Sequence, residues 1–422
     1  MTNSRKLLAM AVALALAPAA HAVKVPLPTE GATMNIVFTI QPQLLSNEHG
    51  SPSGNDWSTD LFNRRARLQI NGDFGKYFSY VFQVDNPNFG KYGNYLTTAT
   101  NRVYVQDAWF GWAPTGITGG TVVYLEAGIL FVPVSRDTIT SISNKPTIEG
   151  HPDLARGFNG GVANRSTGVG FRGWALDKKL GFRGGIYEGV QPTAADVGLN
   201  PNKNPQFAGF ANFDIIGSEE GGWLYQSVYF AKDPVVSISV AGSYQSRALR
   251  VTKGVTDQAH ANAALFVDYP LSEQQELGFI ANGFRYWNGT GSKDTGLGIA
   301  LDLGFRFQFI RPYVSFEYFN SDDCPSTGAT AAQCAAVHTS DSRNFRAGLD
   351  FYVNKNANHV MVEFSANHGQ SAWGPQAISA AAAGYVPLSL DPATPTGPRR
   401  AINNLLSSPS QKSVLVHWHV NF

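Results

Sequence analysis

Cysteine is almost absent, with two in 422 residues, so the chain is no disulfide-knit scaffold. Charge is scarce too: 15% of residues are charged, against about 25% in an ordinary soluble domain. Neither sign prevails, at 32 Lys+Arg against 31 Asp+Glu. That leaves no basic excess for a phosphate backbone and excludes nucleic acid as a partner. Beyond the N-terminus no segment holds 18 uninterrupted apolar residues, so no membrane-spanning helix is expected. The GxSxG elbow, HExxH and a Walker loop are missing, and with them the common catalytic signatures. Glycine (43 residues) and aromatics (12%) are what the chain has instead. It is too aromatic and too weakly charged for disorder, and the composition is typical of all-β proteins.

The N-terminus reads as an export signal. Arg5 and Lys6 precede the apolar run 7–17, Pro18 breaks it, and Ala20-His21-Ala22 supplies the small residues of a cleavage site. A spanning helix needs ~20 residues, so this run is too short for an anchor. Residues 1–22 are therefore expected to be removed, leaving a single unit over 23–422.

The rest of the chain alternates with period two. From Thr295 to Phe309, Leu297, Ile299, Leu301, Leu303, Phe305, Phe307 and Phe309 alternate with Gly296, Gly298, Asp302, Gly304, Arg306 and Gln308. Similar windows carry Ala66, Leu68 and Ile70 against Arg65, Arg67 and Gln69, and Phe78, Tyr80, Phe82 and Val84 against Ser79, Gln83 and Asp85. Soluble strands run to about five or six residues. A much longer strand with one apolar and one polar face is what a membrane-spanning barrel requires.

Sixteen strands are expected, at 33–43, 63–73, 78–86, 102–113, 121–131, 167–175, 180–188, 207–216, 235–247, 261–269, 276–287, 295–309, 311–320, 343–353, 358–367 and 413–422. Their connections alternate short and long, as in an even antiparallel barrel with short periplasmic turns and long extracellular loops. The connection 217–234 breaks this rhythm. Residues 223–230 have strand character of their own, so eighteen strands is the alternative count. The last strand places Val414, Val416, Trp418, Val420 and Phe422 on one face and ends on an aromatic residue. Trp418, Val420 and Phe422 form an ending that resembles the assembly signal of outer-membrane barrels.

Several motifs then carry a family resemblance. Asn63-Arg64-Arg65-Ala66-Arg67-Leu68 with Gly72, Gln106-Asp107-Ala108-Trp109, the segment from Gly128 to Val134, and Gly168-Val169-Gly170-Phe171 followed by Gly181 to Tyr187 occur in order. Together they resemble the phosphate-selective porins O and P. The resemblance implies a sixteen-stranded outer-membrane barrel, a homotrimer, and a third loop folded into the pore. It also implies outer-membrane lipid and lipopolysaccharide as surroundings, barrel-assembly machinery as a partner, and small solutes as cargo. Phe131 stands where the family has lysine, and the third loop, 132–166, holds few bases. The resemblance therefore carries over the pore and not the phosphate.

A pore selects by fixed charges at a constriction. The candidate lining residues are Arg65, Arg67, Arg102, Asp107, Glu126, Arg136, Asp137, Arg172, Arg183 and Arg306. One expectation is a basic arc on the early strands, favouring anions, opposite an acidic third loop with Asp137, Glu149 and Asp153. The alternative is that the arginines pair with lumen carboxylates and brace the wall. Cys324 and Cys334 share one exported loop and are expected to form a disulfide. His417 and His419 lack a third ligand, so no metal or cofactor is expected. Trp109, Trp112, Phe131, Tyr313, Tyr318, Trp418 and Phe422 are read as interface girdles. The expected function is passive diffusion. The alternatives are a barrel enzyme, with Ser413, His417 and His419 as its nearest constellation, or a receptor or adhesin using 368–412.

Overall fold

The computed structural model describes residues 23–48, 57–87, 103–141, 144–148, 150–151, 165–191, 198, 200–219, 223–230, 232–251, 254–289, 295–322, 342–369 and 410–422. The expected leader, Arg102, Glu149, Asp153, Cys324 and Cys334 lie outside them.

Every backbone donor and acceptor must be satisfied in a bilayer, and strands achieve this only by closing on themselves. A short strand β1 (Val23–Pro26) precedes sixteen long ones. These are β2 (Thr33–Asn47), β3 (Ser58–Phe74), β4 (Phe78–Asp85), β5 (Tyr104–Trp112), β6 (Val122–Phe131), β7 (Arg165–Ala175), β8 (Leu180–Tyr187) and β9 (Gln206–Ile216). The second half is β10 (Val235–Val251), β11 (Gly254–Ser272), β12 (Gln275–Trp287), β13 (Gly296–Phe307), β14 (Ile310–Ser321), β15 (Ser342–Asn354), β16 (Asn358–Gly369) and β17 (Ser410–Asn421). Each pairs antiparallel with the next, and β17 closes the ring on β2 through Val416↔Leu44 and Val414↔Ser46. β1 pairs only with the first residues of β2, Val23 opposite Ile36. Each of the sixteen expected strands has its counterpart. The eighteen-strand alternative fails, because 223–230 forms no strand and takes part in β pairing only through an isolated bridge, Tyr225 to Thr140.

The faces divide as the alternation demands. Leu297, Ile299, Leu301, Leu303, Phe305 and Phe307 of β13 are exposed on the outside, while Ala300, Asp302 and Arg306 are buried inside. On the outer face Phe74 stacks on Tyr80 and Phe78 on Phe110. Trp112 and Phe422 also lie outside, as girdle residues should. Trp109, Phe131 and Tyr313 correct that expectation. Trp109 and Tyr313 are 6% and 4% exposed and point inward. Trp109 packs on Trp223, Phe131 lies 3.7 Å from the Arg165 guanidinium, and the Tyr313 hydroxyl donates to Glu363. Strand phase, not aromatic character, decides the side.

Glycine gives the inner face room for large side chains. A Cβ on Gly304 would come within 2.4 Å of Arg311, and one on Gly348 within 2.5 Å of Tyr313. Leu301 sits on the apolar outer face halfway along β13. Leu301→Arg is expected to cost about 2–4 kcal/mol of barrel stability, measured by denaturant unfolding from lipid vesicles. An unchanged midpoint would mean that this face meets water.

Candidate functional site

The interior is organised by the third loop, L3, which leaves β6 at Phe131. Val132 and Val134 are buried at its start, and His260 of β11 donates Nε2–H to the Val134 carbonyl at 2.8 Å. Ser135 and Thr138 then exchange bonds: Thr138 N–H to Ser135 Oγ at 3.2 Å, and Ser135 N–H to Thr138 Oγ1 at 3.1 Å. This closes the 3-10 turn Asp137–Ile139, which keeps the chain inside the barrel.

From there L3 crosses to the far wall. Asp137 accepts from Lys145 Nζ at 2.9 Å and lies 3.4 Å from His151 Nδ1. His151 Nε2 reaches Asp302 of β13 at 3.0 Å. Arg311 of β14 donates to the Pro146 carbonyl, and Ile148 N–H donates to Glu363 of β16 at 3.2 Å. Gly150, at φ +71°, adopts a left-handed turn that glycine favours, and its carbonyl accepts from Arg346 of β15 at 2.6 Å. Ile148 fills an apolar pocket of Leu45, Phe62, Tyr313, Met361 and Leu415. The described part of L3 therefore folds inward and is fastened to β11 and β13–β16.

These fastenings are electrostatic. Burial alone would push His151 down, but Asp302 and Asp137 override it and raise its pKa to about 10. Burial would raise Asp137, but Lys145 and His151 hold it well below the usual carboxylate range. Arg136 would likewise be lowered by burial, and Glu219 more than restores it through bonds of 2.8 and 2.5 Å.

The inner wall carries its own ion pairs. Arg67 meets Asp85 at 2.8 Å, Arg165 meets Asp107 at 2.9 Å, and Arg172 meets Glu126 at 2.8 Å. Arg306 meets Glu276 at 2.6 Å, and Arg346 meets Glu317 at 2.8 Å. Arg65 donates to Gln41 Oε1 at 2.9 Å, and Arg183 donates to the Trp223 carbonyl. Arg172 and Arg183 stand directly opposite each other on β7 and β8. Thus Arg65, Arg67, Asp107, Glu126, Arg136, Asp137, Arg172, Arg183 and Arg306 all lie inside the barrel. Asp137 faces Lys145 and His151 rather than the arginine arc. The carboxylates that oppose this arc sit on the other wall: Asp268, Glu276, Asp302, Glu317, Asp350 and Glu363 are all buried on β11–β16.

Residues 50–209, from before β3 into β9, match the family described as phosphate-selective porin O and P. That stretch of the chain resembles the family, and the closed barrel is the fold of outer-membrane porins. The family's description names a solute, and no residue above assigns that solute here. Solved structures share the barrel fold at low identity. Salmonella typhi OmpF, in complex with daunomycin, is 12% identical at a TM-score of 0.55, covering 95% of this chain and 100% of that one. The anion-selective porin from Comamonas acidovorans is 11% identical at 0.52, covering 93% and 100%. Vibrio cholerae OmpT, described as a trimer form, is 10% identical at 0.51, covering 92% and 100%. No curated protein matches the chain.

Sequence reasoning missed Glu219, His151, Arg311 and Arg346. Arg311 and Arg346 alternate in phase with Glu317 and Asp350 and were visible as inward residues. Nothing local marks Glu219 or His151. His151 yields a pH prediction. Its folded pKa is raised above the ordinary 6.5, so its fastening of L3 is intact below that value and is lost as pH rises through about 10. Channel current in planar bilayers should become noisier above pH 10, and His151→Gln should be noisy already at pH 7. A variant as quiet as the parent throughout would refute the role.

Proposed function

We propose that the protein is a passive diffusion channel for small hydrophilic solutes whose lumen favours anions. One observation carries the anion preference: arginines outnumber carboxylates on the β3–β8 wall, while L3 fastens its 145–151 part to the acidic wall. Between the ends of β3, where Asp60 and Asp73 sit, the wall from β3 to β8 brings Arg65, Arg67, Arg165, Arg172 and Arg183 together with only Asp85, Asp107 and Glu126. His151 of L3 meanwhile adds positive charge at Asp302 on the opposite wall, and Lys145 offsets Asp137 within L3. Guanidinium stays charged at every relevant pH, so this excess is permanent. An anion therefore meets fixed positive charge along one side of its path.

Homotrimeric assembly is proposed with it, as in the structure of OmpT described as a trimer form. Weighing against the barrel-enzyme alternative, Ser413 Oγ is bonded to Ser365 Oγ at 2.7 Å, across the β16–β17 pair.

Reversal potential in a salt gradient tests the charge preference, with stepwise openings in triplets reporting the trimer. Wild type should favour chloride over potassium, and Arg65→Gln with Arg67→Gln should move the potential toward cations. Cation preference in the wild type, unchanged by that double substitution, would sink the proposal.

A further inference from the structure

The long connection between β9 and β10 lies at the end of the barrel where the other connections are short turns, and it does not stay outside. Its described residues run across the lumen. At one side the Trp223 carbonyl accepts from Arg183 of β8, and the indole packs 5.6 Å from Trp109 and 5.2 Å from Phe131. At the other side Asn356, in the turn between β15 and β16, donates to the Val228 carbonyl at 2.9 Å and to Gln226 Oε1 at 3.2 Å. In a ring of sixteen strands β8 and β16 are diametrically opposed. The segment, with the Arg183 and Asn356 side chains that hold it, therefore links opposite walls of the barrel.

Its backbone is fastened along the way. Tyr229 N–H donates to Asp268 of β11 at 2.8 Å, and Phe230 N–H donates to Glu276 of β12 at 3.1 Å. The Phe230 ring meets Tyr352 of β15 edge-on at 4.9 Å. Tyr225 and Val228 are each 5% exposed.

L3 rests on this strap. Tyr225 N–H donates to the Ile139 carbonyl at 3.0 Å, Ser141 N–H to the Tyr225 carbonyl at 2.9 Å, and Ser227 N–H to the Asn144 carbonyl at 3.0 Å. Arg136 joins the two a second time, bonding Glu219 twice and the Gln226 carbonyl at 2.8 Å. Glu219 also accepts from the Tyr229 hydroxyl at 2.8 Å and from Ser237. One carboxylate thus holds L3, the strap and the β10 wall together.

We propose that residues 223–230 are a fixed strap that sets the width of the pore jointly with L3, and that Glu219 is the positioning residue for both. A loop fastened on one wall only would narrow the passage from that side. A strap anchored on both walls divides it, so the conducting cross-section is what remains beside the strap. The proposal rests on the channel reading above and adds what limits the solute's size.

The test compares single-channel conductance, and the largest sugar admitted in vesicle swelling, for three variants. One replaces residues 223–230 with glycine and serine, one is Asn356→Ala and one is Glu219→Gln. A heat-dependent change in gel migration confirms that each barrel is folded. Removing the strap's side chains should raise conductance at least about twofold and admit larger sugars, since pore width sets both. Asn356→Ala and Glu219→Gln should give smaller increases. Glu219→Gln should also shift the reversal potential toward anions, which a purely structural residue away from the ion path would not do.

Unchanged conductance and sugar limit in folded variants would overturn the strap. If the replacement variant fails to fold, the two point variants decide the matter by the same readings. A silent wild type with conducting variants would mean that the strap blocks the pore outright, which would overturn both the open passage beside it and the passive-channel reading. Silence in all of them would overturn the channel reading and the strap with it.

Discussion

The structure depends on one pairing, that of β17 with β2. An open sheet edge in lipid would leave a row of donors and acceptors with no partner, at several kcal/mol each. Closing the ring through Val416↔Leu44 and its neighbours removes both edges at once. It also fixes an inside and an outside, and from that the distribution of side chains follows. Leu, Ile, Val and Phe can face outward because lipid receives them, and Arg, Asp, Glu and Gln can face inward because the enclosed space is polar. A soluble domain of the same composition would need the reverse arrangement. The low overall charge reflects this: only one face of each strand has any use for it.

A ring of this size would enclose a wide hole, and the interior charges are what fill it. The carboxylates on β11–β16 exceed the arginines there, and the excess draws His151 and backbone amides of L3 and the strap toward that wall. Asp302, Glu363, Asp268 and Glu276 each take a partner from one of the inserted segments. On the β3–β8 wall the carboxylates are already engaged by arginines of neighbouring strands. The asymmetry of charge therefore decides on which side L3 lies, and that in turn decides which wall a solute meets. Breaking one such buried pair costs about 3–5 kcal/mol, because the remaining charge is stranded, while the intact pair adds little net stability. These pairs are better understood as fixing position than as holding the barrel together.

What the sequence disclosed follows from how far each interaction reaches. A strand half-immersed in lipid records its environment at every second residue, so β13 could be read from its own residues. β10 and β11 run further than the alternation indicated, to Val251 and back from Gly254. Their extra residues, such as Gly254-Val255-Thr256-Asp257, carry no apolar alternation to mark them. L3 and the strap were harder for the opposite reason. His151 is positioned by Asp302, and Arg136 by Glu219, partners far away in sequence that only barrel closure brings near. The aromatic girdle was misread at Trp109 and Tyr313 because residue type was weighed above phase. Tyr313 alternates with Arg311, Ser315 and Glu317, and that alternation places it inside.

The irregular spacing at 217–234 was the one place where the rhythm of short and long connections failed, and its failure has a physical cause. A periplasmic turn that only reverses the chain needs a few residues, as 308–309 and 355–357 show. A turn that must reach the opposite wall and return needs many more. The apparent strand character of 223–230 has the same origin: its apolar residues are buried, but against the inserted L3 and the inner wall rather than against lipid. Phe230 is held at φ +51°, a left-handed conformation disfavoured for a bulky residue, at the point where the chain turns back from the β15–β16 side. That strain is offset by the bonds from Tyr229 and Phe230 to Asp268 and Glu276, which the strap reaches only because it links opposite walls of the barrel.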